Sequence, residues 1–314
     1  MGRLMDLRQL RAFLTVAETG NVTRAAAQLH LVQPAVSRQL RLLEKDLGVA
    51  LFERGRNGMA LTDAGRSLVG YARRAMLELE RARAELSSQS EGVTGIVTIG
   101  LLPSICDVLA SRLVSAMARD FAGIQVRIAM GYAGTLQAWL ENGEVDTALV
   151  YDARPSQAIQ TQPLVEEDLW IVGPLTSKLR KDKPVPLSNL ASQPFVLPSA
   201  PHGIRTLVEH ACMVAGVQMR IVAETNAMSV QKGLVRAGHG LTILPPIAVA
   251  DEIARNLLRA APLKEPTIKR TIVLGLPSNR PIAPPVRCAV GTLIRCVKEV
   301  IDRGDWLEGR WVGG

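Results

Sequence analysis

Aromatic residues are scarce in this chain of 314 residues, at 4%. The four tryptophans, Trp139, Trp170, Trp306 and Trp311, are scattered, which argues against a platform for stacking the bases of a single strand. Cysteine is equally sparse. Cys106, Cys212, Cys288 and Cys296 form no close CxxC pair, and the four histidines have no ligand spacing with them. Reduced thiols are therefore expected, with no disulfide scaffold, no metal site and no cofactor. His210 and His239 read as surface or packing residues. No GxSxG, phosphate-binding GxxxxGK or GxGxxG after a strand occurs, so the common hydrolase, nucleotide and dinucleotide chemistries are not expected. The opening MGRLMDLRQLRAF is charged throughout and has no apolar core of a secretion signal. No apolar run reaches the roughly 18 residues needed to span a bilayer. A cytoplasmic protein with no membrane partner is the expectation.

What the chain does have is positive charge. The net formal charge is +8. Residues 1–66 hold ten Lys/Arg against six Asp/Glu, and residues 92–314 hold 23 against 19. Each part is +4, so the short N-terminal part is far more basic per residue. Nearly all its cations are arginine, whose planar fork suits phosphates and guanine edges.

The N-terminal pattern is helical. Asp6 followed by Gln9 reads as a capping box, and Leu7, Leu10, Leu14 and Ala17 recur at helical spacing. Gly20 and Asn21 stop this helix. Thr23 is placed to cap a second, with Ala25, Ala26 and Leu29 facing inward. A turn at His30–Val32 leads to Gln33 and Pro34, which open a third helix with Val36, Leu40, Leu43 and Leu47 as its buried stripe and Gly48 as its stop. Two helices on so short a turn make a helix-turn-helix. Residues 49–61 read as a hairpin, the wing. Thr62 and Asp63 then start a long helix to about Ser88. Its apolar positions Leu68, Ala72, Ala75, Leu79, Ala82 and Leu86 follow a heptad, which fits either a dimer seam or a helix lying on its own core. Residues 87–92 are a polar hinge.

Beyond the hinge, strands and helices alternate. Strands are expected at Ile96–Gly100, Ile124–Met130, Thr147–Tyr151, Asp168–Val172, Phe195–Leu197, Ile221–Ala223, Leu241–Leu244 and Thr271–Leu276, with a last helix over Pro285–Asp302. About 220 residues of α/β pattern suggest two lobes.

Three strings, DLRQLRAFLTVAETG, TRAAAQLHLVQPAVSRQLRLLEKDLG and LFERGRNGMALTDAG, resemble the LysR-type transcription regulators and cover residues 6–65 nearly without gaps. VTIGLLPSI, LENGEVDTALVYD and LVRAGHGLTILPP resemble that family's sensor domain. GLLPSI, LWIVGP, LPSAPHGIR and LTILPP are most similar to its nitrogen-assimilation-control branch. The resemblance implies an all-α winged helix-turn-helix over 1–61, a linker and dimerisation helix with hinge over 62–91, and a two-lobed regulatory domain over 92–314. That domain would have the type 2 periplasmic-binding-protein fold, with lobe I at about 92–165 and 270–314 and lobe II at about 166–269. It also implies a homo-oligomer, dimer or tetramer, that contacts double-stranded DNA, RNA polymerase and an unidentified small effector, a carboxylate or a nitrogen metabolite.

Carried over residue by residue, the base-reading surface falls on Gln33, Pro34, Ser37 and Arg38, with Arg41 on the same face. That face lies opposite the Val36, Leu40 and Leu43 stripe. Glutamine pairs with adenine, arginine with guanine, and Pro34 offers apolar surface to a thymine methyl. Thr23 and Arg24 are candidates for phosphates, and Arg54 and Arg56 in the wing for phosphates or the minor groove. The chain departs from many relatives in having Val32, not serine, before the Gln-Pro pair. The matching effector positions are Leu102, Pro103 and Ser104, Gly131, Gly134 and Thr135, Ser199, His202 and Gly203, and Thr225 with Asn226. Ser104 reads equally as an anion-binding hydroxyl at a helix start or a plain N-cap. His202 and Arg205 would add positive charge. Leu101 and Leu102 stand where many relatives have polar residues, which makes the pocket mouth apolar and leaves open a regulator without an effector. A solute-binding protein would explain residues 92–314 but not the helix-turn-helix.

Overall fold

The computed structural model describes residues 5–55, 58–87, 92–151, 156–278 and 281–314, and the chain divides into two compact units, Met1–Glu91 and Gly92–Gly314. Arg56 and hinge positions 88–91 lie outside the described residues, as do the side chains of Arg54 and Leu86.

Unit 1 opens with α1 (Leu7–Thr19), α2 (Val22–Gln28) and α3 (Gln33–Leu47). The capping box is present: the Asp6 carboxylate accepts from Arg8 N at 3.1 Å, and Gln9 Oε1 accepts from Asp6 N at 2.9 Å. The cap of α2 corrects the expectation. Asn21, not Thr23, accepts from Thr23 N at 2.9 Å and Arg24 N at 3.1 Å, and Thr23 sits inside the helix. Val32 is the N-cap of α3 and supplies no side-chain bond; Pro34 fits the first turn because its missing N–H had no helical partner there. Gly48 ends α3 with φ 71°.

Phe13, Val16, Ala25, Val36, Leu43 and Leu51 are buried together as one core. Each large side chain so buried contributes roughly 1.5–3 kcal/mol. The wing is β1 (Phe52–Gly55) paired antiparallel with β2 (Gly58–Leu61). Two ties seat it. Glu44 of α3 accepts from Leu51 N at 2.8 Å, and Met59 N donates to Gly20 O at 2.8 Å. The second tie requires glycine at 58: φ is +123°, and a Cβ there would stand 2.4 Å from Gly20 O. Thr62 caps α4 (Asp63–Ser87), accepting from Gly65 N at 3.1 Å. The apolar seam of α4 divides. Leu68 and Ala72 pack on the core of unit 1, whereas Ala75, Leu79 and Ala82 are exposed.

Unit 2 carries β3 (Gly95–Leu101), α5 (Pro103–Asp120), β4 (Ile124–Met130), α6 (Ala133–Glu141), β5 (Thr147–Tyr151), β6 (Ile159–Asp168) and β7 (Trp170–Gly173). It continues through β8 (Val185–Pro186), β9 (Pro194–Leu197), α7 (Gly203–Val214), β10 (Arg220–Glu224), α8 (Met228–Arg236), β11 (Thr242–Leu244), α9 (Ala250–Ala254), β12 (Arg259–Lys264), β13 (Lys269–Pro277), α10 (Pro284–Asp302) and β14 (Arg310–Trp311). Among the described residues, one mixed sheet has the order β14-β6-β13-β5-β3-β4. A second has the order β11-β7-β12-β8, and β9 and β10 pair beside it. The chain passes between the two lobes twice, after β6 and before β13, and these two strands pair antiparallel along most of their length. The expected strand at Asp168–Val172 is instead the end of β6 and the start of β7, broken at Leu169, while most of β6 and all of β12 carry no clear alternation and went unpredicted.

The cap assignment is tested by substitution. Asn21→Ala is expected to destabilise unit 1 by about 1 kcal/mol and Thr23→Ala by much less. Urea unfolding of the full chain, followed by a probe in α1–α3, distinguishes the two; the reverse ranking would refute the assignment.

Candidate DNA interface and effector pocket

The first turn of α3 presents a polar face to solvent. Gln33, Pro34, Arg38 and Arg41 are exposed, and Ser37 is half-buried. Their spacing of three and four residues puts them on one side of the helix, with Val36, Leu40 and Leu43 buried on the other. Gln33 Nε2 donates to Ser37 Oγ at 3.3 Å, which holds both polar ends on this surface. Thr23 and Arg24 are exposed at the start of α2, their amides held by Asn21. Arg24, Arg38 and Arg41 have no ion-pair partner among the described residues. The backbone of Arg54 lies in β1 opposite Met59.

In unit 2 the residues carried over for an effector do not all converge. Leu102, Pro103, Ser104 and His202 line one cavity of about 350 Å³, its open mouth included. Ser199, Thr225 and Asn226 make a polar rim beside it: Ser199 N donates to Asn226 Oδ1 at 3.1 Å, and Ala227 N to Thr225 Oγ1 at 3.2 Å. Gly203 stands behind His202 against Tyr151, where a Cβ would come within 2.7 Å of the ring. Gly131 packs against Trp139 and Leu136, and Gly134 and Thr135 are exposed; none of the three lines the cavity. Leu102 is on the wall, but Leu101 belongs to the buried core and does not face the cavity.

The cavity is built around groups that sequence reasoning passed over. Arg270, on β13, and Glu167, on β6, are cross-strand neighbours with side chains only 1% and 0% exposed. Arg270 Nε donates to Glu167 Oε1 at 2.7 Å, and its Nη2 donates to Ser104 Oγ at 2.9 Å. The guanidinium also lies 4.8 Å from the centre of the Tyr151 ring. Trp306 Nε1 donates to the other carboxylate oxygen of Glu167 at 2.9 Å. Ser104 is therefore neither an N-cap nor a free hydroxyl. Leu102 is the N-cap residue of α5, and Ser104 accepts from a buried arginine. A signal was present in the sequence: Arg270 keeps the two-residue phase of buried Ile272 and Leu274, so its side chain had to point inward.

The positive charge expected from His202 and Arg205 is not there. Arg205 is tied to Glu209 at 2.5 Å and Glu224 at 2.7 Å and does not line the cavity. His202 is held neutral: burial, reinforced by the Arg270 charge, lowers its pKa from 6.5 to about 4. Its ring meets Tyr132 edge-on at 4.7 Å, and its Nδ1 is buried without a hydrogen-bond partner. The Tyr132 hydroxyl donates to Asn226 O, so the N-cap residue of α6, which lines the cavity, also bonds to the other lobe. Burial raises the thiol pKa of Cys106, Cys212 and Cys296, which keeps them protonated and poorly nucleophilic. No cluster of potential metal ligands occurs among the described residues, nor any helix long and apolar enough to cross a membrane.

An exposed helix-turn-helix followed by a two-lobed α/β unit with an internal cavity defines a DNA-binding protein that carries a small-molecule pocket. The model of bacterial regulatory helix-turn-helix proteins of the lysR family matches residues 7–66, and that of the LysR substrate binding domain matches residues 90–299. Similar proteins include the HTH-type transcriptional regulator BbuR of Bordetella bronchiseptica, 33% identical over 88% of this chain and 86% of that protein. The nitrogen assimilation regulatory protein nac of Escherichia coli is 26% identical over 96% of this chain and 99% of its own. Among solved structures, the LysR family regulator CbnR has a TM-score of 0.72 at 22% identity, covering 93% of this chain and 99% of that one. The chain belongs to the LysR family and is a DNA-binding transcriptional regulator of that type.

Two consequences of the cavity are measurable. Glu167→Leu leaves Arg270 as an unpaired buried cation and is expected to cost roughly 3–5 kcal/mol, whereas Arg270→Met with Glu167→Leu recovers most of that. Denaturant melts of the single and double variants check this, and an equally damaged double variant would refute it. Because His202 has a folded pKa below its ordinary value, its stabilising effect is complete above pH 6.5 and is lost as pH falls toward 4. His202→Gln should flatten that part of a melting-temperature profile; an unchanged slope would count against a buried neutral imidazole.

Proposed function

We propose that α3 enters the major groove and that a small molecule in the cavity of unit 2 sets how strongly the promoter is regulated. The observation that supports the first part is the exposed Arg38, without an ion-pair partner among the described residues, on a face shared with Gln33, Pro34, Ser37 and Arg41. Arg38 reads guanine, Gln33 reads adenine, and Pro34 packs on a thymine methyl. Thr23 and Arg24 hold phosphates beside them, and Arg54 and Arg56 extend the contact from the wing. A crystal structure of full-length CbnR complexed with its target DNA shares this fold over 94% of the chain, with a TM-score of 0.70.

The exposed Ala75, Leu79 and Ala82 continue the heptad of α4 beyond its own core and support a dimer built on this helix. Two recognition helices then face a pseudo-palindromic site. Further pairing to a tetramer and contact with RNA polymerase follow the family. The protein acts in the cytoplasm, where the DNA is, and works by binding, not by catalysis. Effector contacts fall on Leu102, Pro103, Ser104 and His202, with Ser199, Gly203, Thr225 and Asn226 shaping the rim. A ligand shifts the regulator only by binding one lobe arrangement better than the other.

Footprinting on the region upstream of the protein's own gene tests the DNA reading. Arg38→Ala should lose about 1–3 kcal/mol of discrimination between target and scrambled duplex, with melting temperature and oligomeric state unchanged. Affinity should also fall steeply as salt rises, through release of counterions. No protected site at moderate salt, or a variant that discriminates as well as the parent, would overturn it.

A further inference from the structure

The cavity of unit 2 has an unusual charge balance. Its one lining cation is Arg270, and Glu167 already neutralises it. No lysine lines the wall, Arg205 is bound elsewhere, and His202 is neutral. Yet the guanidinium is not used up. The bonds to Glu167 and Ser104 are made by Nε and Nη2, and Nη1 has no hydrogen-bond partner among the described residues. Ser104 Oγ accepts from Arg270, so its own proton is available to a third group. Two donors, Nη1 and the Ser104 hydroxyl, thus stand beside a cavity with little net charge. Around them Leu102, Tyr132, Tyr151, Ile204, Met228 and Leu244 make the wall mostly apolar or aromatic, with His202 and Gln231 as its other polar side chains.

Resting on the reading of this cavity as the effector site, we propose that it takes a compact carboxylic acid bearing one negative charge on a mostly apolar or aromatic body. The carboxylate sits on Nη1 of Arg270 and the Ser104 hydroxyl. Charge-assisted bonds of this kind are the strong ones. A dianion is disfavoured, because no further cation lines the cavity to offset a second carboxylate. A neutral amide is disfavoured because it leaves the guanidinium donors poorly matched. The body of the ligand reaches Ile204, Met228 and Leu244, which lie beyond the crossing strands, while its head is held by residues before and on them. The same molecule therefore touches both lobes, and its head group binds the arginine of the strand pair that joins them. Differential contact of this kind is what biases one lobe arrangement.

Thermal-shift titration of the full chain tests the charge rule with three matched classes: benzoate and isovalerate, their amides benzamide and isovaleramide, and the dicarboxylates phthalate and methylsuccinate. A saturable rise in melting temperature is expected from at least one monocarboxylate at millimolar concentration. Its amide and the dicarboxylates should bind at least about tenfold more weakly. Two variants read the head-group contact. Arg270→Gln with Glu167→Gln removes both charges together, and Met228→Asp adds a negative charge to the opposite wall without touching the buried pair. Each should weaken monocarboxylate binding at least about tenfold. Tighter binding of a dicarboxylate or amide, monocarboxylate binding unchanged in both variants, or no response to either monocarboxylate overturns the proposal. The first of these outcomes would still leave a ligand-binding cavity. Promoter footprinting is read separately, so the DNA-binding reading stands or falls on its own.

Discussion

The pair formed by Arg270 and Glu167 is the constraint on which unit 2 turns. Both side chains are out of water, and isolated burial of either charge would cost several kcal/mol. The cost is offset because almost every polar atom finds a partner: Glu167 accepts from Arg270 and Trp306, and Arg270 also reaches Ser104 and the Tyr151 face. Such a network holds only if β6 and β13 keep their register, since Glu167 and Arg270 are opposite each other in that ladder. These strands also carry the chain between lobes. A group that must stay satisfied is therefore placed at the joint where the lobes meet. Apolar residues of the same volume could match its stability, so the pair is better understood as a fixed donor at the base of the cavity than as a source of net stability.

Unit 1 solves a different problem, which is to keep a polar face free. The core of Phe13, Val16, Val36 and Leu43 immobilises the helices from inside. Asn21 takes the amides of the first turn of α2, so Thr23 and Arg24 need not serve as caps. The Glu44 carboxylate and the Gly20 carbonyl hold the wing by accepting from its backbone amides. The consequence is that Gln33, Pro34, Arg38 and Arg41 stay exposed on α3 and remain available for a partner.

The helix-turn-helix was legible because its signals are local. Capping box, proline at a helix start, stopping glycines and a four-three apolar repeat each act within one or two turns. The cap of α2 was misplaced for the same local reason: Asn21 and Thr23 are both good caps, and only the observed bonds choose between them. Unit 2 was legible where buried strands read as apolar runs, as at Thr147–Tyr151, and illegible at β6, whose ten residues hold Gln160, Gln162, Glu166 and Glu167 among few apolar ones. The cavity was the least legible part. Ser104 and His202 were found through family position, but the residues that give the pocket its charge come from strands about 100 positions apart in sequence (Glu167 with Arg270). The phase of Arg270 with Ile272 and Leu274 would have shown that it points inward; its partner depends on pairing between distant strands, which no local pattern encodes.

The two units carry the same net charge of +4, and they differ in how their cations are arranged. In unit 2 several of the cations are paired within the unit. Arg112 pairs with Asp305, Arg180 with Asp182, Lys232 with Glu252, Arg255 with Asp251, and Lys269 and Arg310 with Glu166. Surface pairs of this kind add little stability, about 0–1 kcal/mol each, but they cancel the field a polyanion would feel. In unit 1, Arg24, Arg38 and Arg41 are exposed and have no such partner among the described residues. Counterion release rewards cations that meet phosphates, and a cation already paired with a carboxylate gains less from the exchange. Affinity for DNA is thus set by the arrangement of carboxylates as much as by the number of arginines. The same logic applied inward, at Arg270, leaves a cavity whose single cation is neutralised in charge but still has donors to offer.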